Sequence, residues 1–352
     1  MAHDLVKQRR TLVLVAGSGR SGTSLFSGLL QRLGFFVPGP EVPADATNPR
    51  GFAESQWVVD FHTKLLRAAG VQVSDARPKA WGLTAHAALD AELRQELRTW
   101  LEAGFERSGA IIVKDPRLAW FLPLWRRCAT DLGVEPRCVT MLRHPAAVID
   151  SKNRWYGPSQ GDLARVAAWI NFTLLTERAT RDLPRVFVHY DDLLDDWPKA
   201  IARVGEQLDL DVIRDAPAAA MRAAHEYVDT GLSRSRSDWE EVAAPPALRA
   251  QVDALWALVA RFGEPEPPPE GSTDHEFESL RGSYVELYTD AEAIAQSSIV
   301  AAARPRVSAV RRPPAAGVRL ARRVPVRYRH RMPLEWRVRL ARVLSRSARA
   351  RA

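Results

Sequence analysis

The sequence predicts an α/β fold in which a mostly parallel central sheet is flanked by helices. Short runs of apolar and β-branched residues alternate along the chain with amphipathic segments of helical length, which is the pattern of such a sheet. The 352 residues, 46% of them hydrophobic, are enough for one large α/β domain or two smaller ones with a sizeable core.

The individual elements follow from the apolar pattern. The predicted strands are residues 11–16, 110–114, 137–142 and 185–190. The predicted helices are residues 21–33, 55–69, 87–107, 120–132, 146–155, 163–181, 199–208, 244–263 and 275–298. The predicted organisation is a main domain over 1–263, a proline-rich linker over 264–274, a C-terminal helix over 275–303 and an arginine-rich tail over 304–352.

The charge of the chain is unevenly distributed. Residues 304–352 hold 16 of the 50 basic residues and one of the 42 acidic residues, so the rest of the chain is mildly acidic and is not expected to bind nucleic acid. Within this tail, "PLEWRVRLARVLSRSAR" (333–349) predicts a short basic amphipathic helix that would contact an anionic membrane surface or an acidic partner. A disordered tail is the alternative.

The compartment is predicted from the short apolar runs and the cysteines. The apolar run at 11–16 has the length of a strand, far below the ~20 residues of a membrane span. Cys128 and Cys138 are the only cysteines, which is too few for a disulfide framework or a zinc site. We therefore expect a cytoplasmic protein in a reducing environment.

A glycine-rich loop follows the first predicted strand, in the segment "GSGRSGTSL" (17–25). A strand that enters such a turn and then a helix directs backbone N–H groups and the positive end of the helix dipole at one point, which suits a phosphate-like anion. Arg20 adds a guanidinium, whereas Thr23 occupies the lysine position of an ATP-binding loop. The residues predicted to bind the anion are Gly19, Arg20, Ser21, Gly22, Thr23 and Ser24. A turn that only packs is the alternative.

A second candidate anion site follows the third predicted strand, in "RHPAAVIDS" (143–151). Arg143 stands at the carboxyl end of the strand, where open α/β sheets bind ligands, and Ser151 follows on the next helix. The alternative is an arginine paired with Asp150 or Asp191.

Together the two loops resemble the cofactor loops of sulfotransferases that use 3′-phosphoadenosine 5′-phosphosulfate. The resemblance spans roughly residues 11–240 and includes "NPRGFAES" (48–55), "VKDPRL" (113–118) and "VHYDDLL" (188–194). It implies a P-loop-like three-layer sandwich that needs no metal. It also implies that the first loop holds the 5′-phosphosulfate and that Arg143 and Ser151 hold the 3′-phosphate. Arg20 matches the position of the loop cation, which is a lysine in many members.

The resemblance further implies catalytic roles for Arg20 and Lys114 at the leaving group, although Lys114 could equally form a surface pair with Asp115. The candidates for the general base of the acceptor are Glu54, Glu41 and His62, of which Glu54 is favoured and Glu41 competes with it. The alternative for Glu54 is a charge at the start of a helix, and the alternative for His62 is a buried structural histidine. Arg234 and Arg236 in "GLSRSRSDW" resemble a late loop that closes over the 3′-phosphate.

The aromatic residues Trp57, Trp81, Trp155 and Tyr156 are candidates for stacking on a ligand or lining a pocket, but most of them are expected in the core. Tyr190 is predicted to end the fourth strand, with Asp191 beginning the helix after it. Tyr190 and Asp191 are therefore predicted to have mainly structural roles.

The function predicted from these residues is sulfuryl transfer from 3′-phosphoadenosine 5′-phosphosulfate to an acceptor hydroxyl, with a glycan or a small metabolite favoured as acceptor. A P-loop nucleotide kinase or NTPase is one alternative, which Thr23 at the lysine position disfavours. A non-catalytic nucleotide-binding module recruited to membranes by its tail is the other.

Overall fold

The computed structural model describes residues 10–156, 160–228, 239 and 242–303. Within them, four parallel strands form one sheet in the order β2-β1-β3-β4. The strands are β1 (Thr11–Ala16), β2 (Ala110–Lys114), β3 (Pro136–Leu142) and β4 (Arg185–His189). The prediction of a parallel sheet flanked by helices is confirmed, and each strand lies within one residue of its predicted bounds.

Helices occupy most of the remaining described chain. They are α1 (Thr23–Arg32), α2 (Gln56–Ala69), α3 (Ala80–Ala85), α4 (Ala91–Arg107), α5 (Leu122–Asp131), α6 (Pro145–Tyr156), α7 (Asp162–Thr180), α8 (Tyr190–Gln207), α9 (Asp211–Arg214), α10 (Ala218–Tyr227), α11 (Pro246–Ala260) and α12 (Asp274–Ala303). Short 3-10 helices cover His86–Ala88, Leu118–Phe121 and Arg261–Gly263. The sequence pattern did not predict α3, α9 and α10.

The two faces of the sheet bury different residues of the same strand. Along β1, Val13 and Val15 pack with α1, α8 and α10, whereas Leu12 and Leu14 pack with α2, α4 and α5 on the opposite face. This alternation is the period of two that a strand imposes on its side chains. Because both faces are covered, residues 12–16 of β1 are buried, and the strand is a continuous apolar run in the sequence.

The start of α8 corrects the prediction for Tyr190. The strand β4 ends at His189, and Tyr190 is the first residue of α8, which begins nine residues before the predicted helix. The helix tolerates Pro198 because its backbone breaks at Asp196 (φ −150°, ψ 72°). The carboxylate of Asp196 accepts a hydrogen bond from the backbone N–H of Lys199 at 3.2 Å, so the proline lies at the start of a newly capped turn.

The compact unit that holds the sheet extends to Ala291, and a second unit begins at Glu292. In the first unit, the buried Tyr284 of α12 donates its hydroxyl to the carbonyl oxygen of Ala76 at 2.6 Å. None of the helices in the described ranges combines the length and the hydropathy that a membrane span requires. Arg234, Arg236 and the tail 304–352 lie outside the described residues.

Candidate active site

The carboxyl ends of all four strands meet at one edge of the sheet, and each contributes to the same cleft of about 830 Å³. Lys114 is the last residue of β2, the glycine-rich loop follows β1, Arg143 follows β3, and Tyr190 follows β4. Parallel sheets bind ligands at this edge because their strand ends and helix N-termini converge there. The cleft is therefore the first candidate for a functional site.

The glycine-rich loop wraps tightly around the start of α1. Gly22 has a φ of 88°, and any side chain at this position would collide with the ring of Tyr190. Arg20 also has a left-handed backbone, with a φ of 78°, which is uncommon for a residue with a side chain. The N–H groups at the start of a helix lack acceptors within the helix, and Gly22, Thr23 and Ser24 line the cleft. This end of the cleft thus presents N–H donors and a positive dipole.

The two predicted anion loops are joined by direct hydrogen bonds. The Nε of Arg20 donates to the Oγ of Ser151 at 2.9 Å, although the two residues are 131 positions apart. The Nη1 of Arg143 donates to the backbone oxygen of Arg20 at 2.9 Å. The structure therefore brings two guanidinium groups and a serine hydroxyl together on one wall of the cleft.

Arg143 is held in place from a second side. Its guanidinium lies over the ring of Tyr190, with 4.4 Å between the guanidinium carbon and the ring centroid. Burial lowers the pKa of Arg143, but an arginine stays charged at neutral pH. Asp150, one of the two carboxylates named as alternative partners of Arg143, forms an ion pair with Arg154 on the same helix.

Lys114 and Glu54, which also line the cleft, form a buried ion pair with side chains that are 3% and 8% exposed. The Nζ of Lys114 contacts the Oε1 of Glu54 and also donates to the Oγ of Ser24 at 2.9 Å. A lysine thus reaches the start of α1 from the neighbouring strand, although Thr23 occupies the lysine position of the loop. Its contact with Ser24 engages the hydroxyl that would bind magnesium in an ATP-binding loop.

The pKa of Glu54 is raised. Burial is the largest cause, and the negative charge of Asp115 adds to it, while the charge and hydrogen bond of Lys114 act in the opposite direction. A carboxyl group with a raised pKa is a stronger proton acceptor once it is ionised. Among the described residues that line the cleft, Glu54 is the only carboxylate.

Glu41 does not join this cleft. Residues 40–56 double back on themselves, and Glu41 forms an isolated antiparallel bridge with Ser55, next to Glu54. The side chain of Glu41 is exposed and accepts a hydrogen bond from Gln31 of α1 at 2.8 Å. The sequence does not distinguish the two glutamates, whereas in the structure Glu54 lines the cleft and Glu41 does not.

His62 also lies away from the cleft, inside the helical layer. It is fully buried, and its Nε2 accepts a hydrogen bond from the indole of Trp125 at 2.9 Å. Its Nδ1 lies 3.4 Å from Asp115, which Arg117 holds from the other side with a hydrogen bond of 2.9 Å. Burial by itself would raise the pKa of Asp115, but the contacts from His62 and Arg117 outweigh it, so the pKa lies below its usual value. Arg117 therefore orients Asp115 while it lines the cleft.

Ser21 and the four aromatic residues singled out in the sequence differ in whether they line the cleft. Ser21 is buried beneath the loop, beside a separate void of about 20 Å³, rather than in the large cleft. Trp57 and Trp81 pack against the core as expected. Trp155 and Tyr156 do not: they are 47% and 54% exposed, and both line the cleft.

Three basic residues that the sequence pattern did not single out also lie near the site. Arg50 lines the cleft and donates to the backbone oxygen of Tyr227, and it lies in the quoted segment "NPRGFAES". Arg154, one helical turn after Ser151, also lines the cleft. Lys152, directly after Ser151, is buried beside a second cavity. No cluster of three or more His, Cys, Asp or Glu side chains suited to a metal ion occurs among residues 10–156, 160–228 and 242–303.

Two solved structures are similar to the chain. One is the sulfotransferase domain from the Synechococcus PCC 7002 olefin synthase, with a TM-score of 0.40, 15% identity, and a match that covers 74% of this chain and 98% of that domain. The other is the sulfotransferase domain from the curacin biosynthetic pathway, with a TM-score of 0.40, 13% identity, and coverage of 72% and 98%. No protein-family model matches the chain, and no curated protein sequence matches it.

Proposed function

We propose that the protein is a sulfotransferase that uses 3′-phosphoadenosine 5′-phosphosulfate and an acceptor hydroxyl, with a glycan or a small metabolite favoured as acceptor. The observation that carries this proposal is the hydrogen bond from Arg20 to Ser151, which joins the glycine-rich loop to the second basic loop. A ligand with an anionic group at each end would be bound by both loops at once. A nucleotide that carries phosphate at the 5′ position only would use one of them.

The residues of the cleft fit this donor. The start of α1 and its loop would hold the 5′-phosphosulfate through backbone N–H groups and the hydroxyls of Thr23 and Ser24. Arg143 and Ser151 would hold the 3′-phosphate through a guanidinium fork and a hydroxyl. The bound donor would supply an activated sulfuryl group and leave as adenosine 3′,5′-bisphosphate. We propose that no metal is required, because Lys114 and Arg20 provide the positive charge beside the leaving group.

Glu54 and Lys114 would carry out the proton and charge chemistry. Glu54 would accept the proton of the acceptor hydroxyl as the acceptor oxygen forms its bond to sulfur. Lys114 and Arg20 would stabilise the negative charge that develops on the leaving phosphate oxygen. Because Lys114 contacts both Glu54 and Ser24, it links the proton acceptor to the anion-binding end of the cleft.

Ligand selectivity tests the donor directly. We expect adenosine 3′,5′-bisphosphate at about 100 times its Kd to stabilise the protein by about 2.7 kcal/mol, or roughly 5–10 °C in Tm. 5′-AMP should stabilise it much less because it cannot reach Arg143 and Ser151. Ser151→Ala should narrow the difference between the two nucleotides, whereas Ser283→Ala on the exposed face of α12 should not. Equal stabilisation by 5′-AMP would overturn the proposal, and stronger stabilisation by ATP with magnesium would favour a nucleotide kinase.

A pH profile tests the pairing of Lys114 with Glu54. Since Lys114 lowers the pKa of Glu54, Lys114→Met should raise this pKa further and move the acid limb of kcat/KM to higher pH. The wild-type limb should already lie above the ordinary glutamate pKa of about 4.3. The measurement is the residual rate of sulfuryl transfer as a function of pH. Lys64→Met, which removes an exposed lysine, is the control, and an identical acid limb in Lys114→Met would contradict the assignment.

A further inference from the structure

A second cavity of about 410 Å³ adjoins the cleft. The two share a wall formed by Gly19, Pro116, Arg117 and Tyr156. Its volume lies within the range of small-molecule sites. Since Gly19 belongs to the glycine-rich loop, a molecule in the second cavity would lie directly beside the proposed donor site.

Lys152 lines this cavity and is its most unusual residue. It follows Ser151 on α6, and the two neighbouring side chains serve different spaces: Ser151 lines the cleft and Lys152 lines the second cavity. Lys152 is only 6% exposed. Its Nζ donates to the Oγ of Ser18 at 3.1 Å and to the Oγ of Ser74 at 3.4 Å. A lysine ammonium has three hydrogens, so one N–H of Lys152 remains available after these two hydrogen bonds.

In the part of the chain that the structure describes, no carboxylate balances the charge of Lys152. Its polar contacts there are with the two serine hydroxyls. Burial lowers the pKa of Lys152 to about 8, and the positive charge of the buried Arg165 adds to this shift. Arg117 on the shared wall already pairs with Asp115. A buried cation of this kind favours an anion within reach.

The rest of the cavity is apolar at its base and polar at its rim. Val73, Ala168 and Phe172 line it, and at the exposed side the amide of Gln160 donates to Gln72 at 3.0 Å. An aromatic or aliphatic frame would pack against the apolar residues. An oxyanion on that frame would be placed against Lys152.

We propose that the second cavity binds an oxyanionic group of the acceptor, a carboxylate or a phosphate or sulfate ester, carried on an apolar frame. Lys152 is the residue that recognises this group. The identification of the occupant as the acceptor rests on the proposed function, whereas the binding of an oxyanion at Lys152 does not. The competing role for Lys152 is support of the glycine-rich loop through Ser18.

Three probes that share a phenyl ring test the cavity. Benzoate carries a carboxylate, phenyl phosphate carries a phosphate ester, and benzamide is the neutral isostere of benzoate. Binding of each is titrated by ligand-observed NMR to the full-length protein, both alone and saturated with adenosine 3′,5′-bisphosphate. We expect benzoate or phenyl phosphate to bind about tenfold more tightly than benzamide, as befits a charge-assisted hydrogen bond to a buried cation. The tighter of the two anions distinguishes a carboxylate acceptor from an ester.

Variants assign the preference to Lys152. Lys152→Met should abolish the tenfold preference, Lys152→Arg should retain part of it, and Lys64→Met, an exposed lysine, should leave it unchanged. Equal binding of all three probes, no binding of any of them, or a preference that survives in Lys152→Met would each overturn the proposal. A Lys152→Met protein that loses affinity for adenosine 3′,5′-bisphosphate as strongly as for the anions would assign Lys152 to loop support instead. If adenosine 3′,5′-bisphosphate fails to bind wild type, the sulfotransferase assignment falls, and the titrations without nucleotide still decide the oxyanion site.

Discussion

Replacing Glu54 by glutamine is expected to lower the rate of sulfuryl transfer by about 10²–10⁴-fold, which is the usual contribution of a general base. Glutamine has the same shape and can still accept a hydrogen bond from Lys114, but it cannot take up a proton. Glu54 is the only carboxylate among the described residues of the cleft wall, so no neighbouring group replaces it. Affinity for adenosine 3′,5′-bisphosphate should stay close to wild type, because the donor-binding residues are unchanged.

Glu41→Gln is the matched control for this variant. Glu41 lies in the same doubled-back segment, but its side chain is exposed and contacts Gln31 rather than the cleft. The Glu41→Gln protein should therefore catalyse sulfuryl transfer at nearly the wild-type rate. The two variants are compared by transfer of labelled sulfate at saturating donor, together with nucleotide binding as a check on folding. Loss of turnover in Glu41→Gln with normal activity in Glu54→Gln would reverse the assignment of the base.

Replacing Lys152 by methionine is expected to raise the free energy of unfolding at pH 7 by about 3 kcal/mol. Burial lowers the pKa of Lys152 from 10.5 to about 8, and a difference of this size corresponds to about 3 kcal/mol of penalty on the charged form. Methionine fills a similar volume without a charge. Since two hydrogen bonds to serine hydroxyls are lost at the same time, the measured gain should not exceed this figure.

The gain in the free energy of unfolding of Lys152→Met is expected to depend on pH. Between pH 8 and 10.5 the unfolded chain holds the Lys152 proton while the folded chain has released it, so wild-type stability rises with pH relative to the variant. The advantage of Lys152→Met should therefore be largest at pH 7 and disappear near pH 10.5. Urea unfolding at both pH values measures it, with Lys64→Met as an exposed control that changes stability by less than about 1 kcal/mol. A destabilised Lys152→Met protein at pH 7 would mean that the hydrogen bonds outweigh the burial of charge.

A gain in stability on replacing the buried Lys152 would also support a functional role for this residue. Residues that break a local rule of stability are expected at functional or strained sites. The expected gain in stability of Lys152→Met and its expected loss of anion preference thus have one cause, a buried charge that has no carboxylate partner among the described residues.

The strands were predictable because of where they lie in the fold. Parallel strands covered on both faces appear in a sequence as short continuous apolar runs, as "TLVLVA" does. The start of α8 was not predictable in the same way, since Pro198 normally excludes a helix around it. Only the backbone break at Asp196, which no local pattern indicates, allows the helix to begin at Tyr190.

The site was predictable where its residues follow strand ends. Arg143 and the glycine-rich loop stand directly after β3 and β1, and adjacent parallel strands bring such positions together. Lys152 was not predictable, because "DSKNRWY" has the composition of an exposed helix end. Its burial depends on Ser18 and Ser74, which lie 134 and 78 positions away. The choice between Glu41 and Glu54 depended likewise on the path of residues 40–56, which the sequence does not reveal.

The order of the strands has a consequence for synthesis of the protein. The central strand β1 is made first, but its neighbours begin only at Ala110 and Pro136. A nascent chain therefore carries its most apolar segment without a pairing partner until much of the domain has left the ribosome, which exposes it to misassociation. Ser151, which the arginine of the first loop contacts, emerges later still. The cleft therefore forms only after its last lining residue, Tyr190, has been made. Fragments that end before β3 lack Arg143, Ser151 and the pairing of β1 with β3.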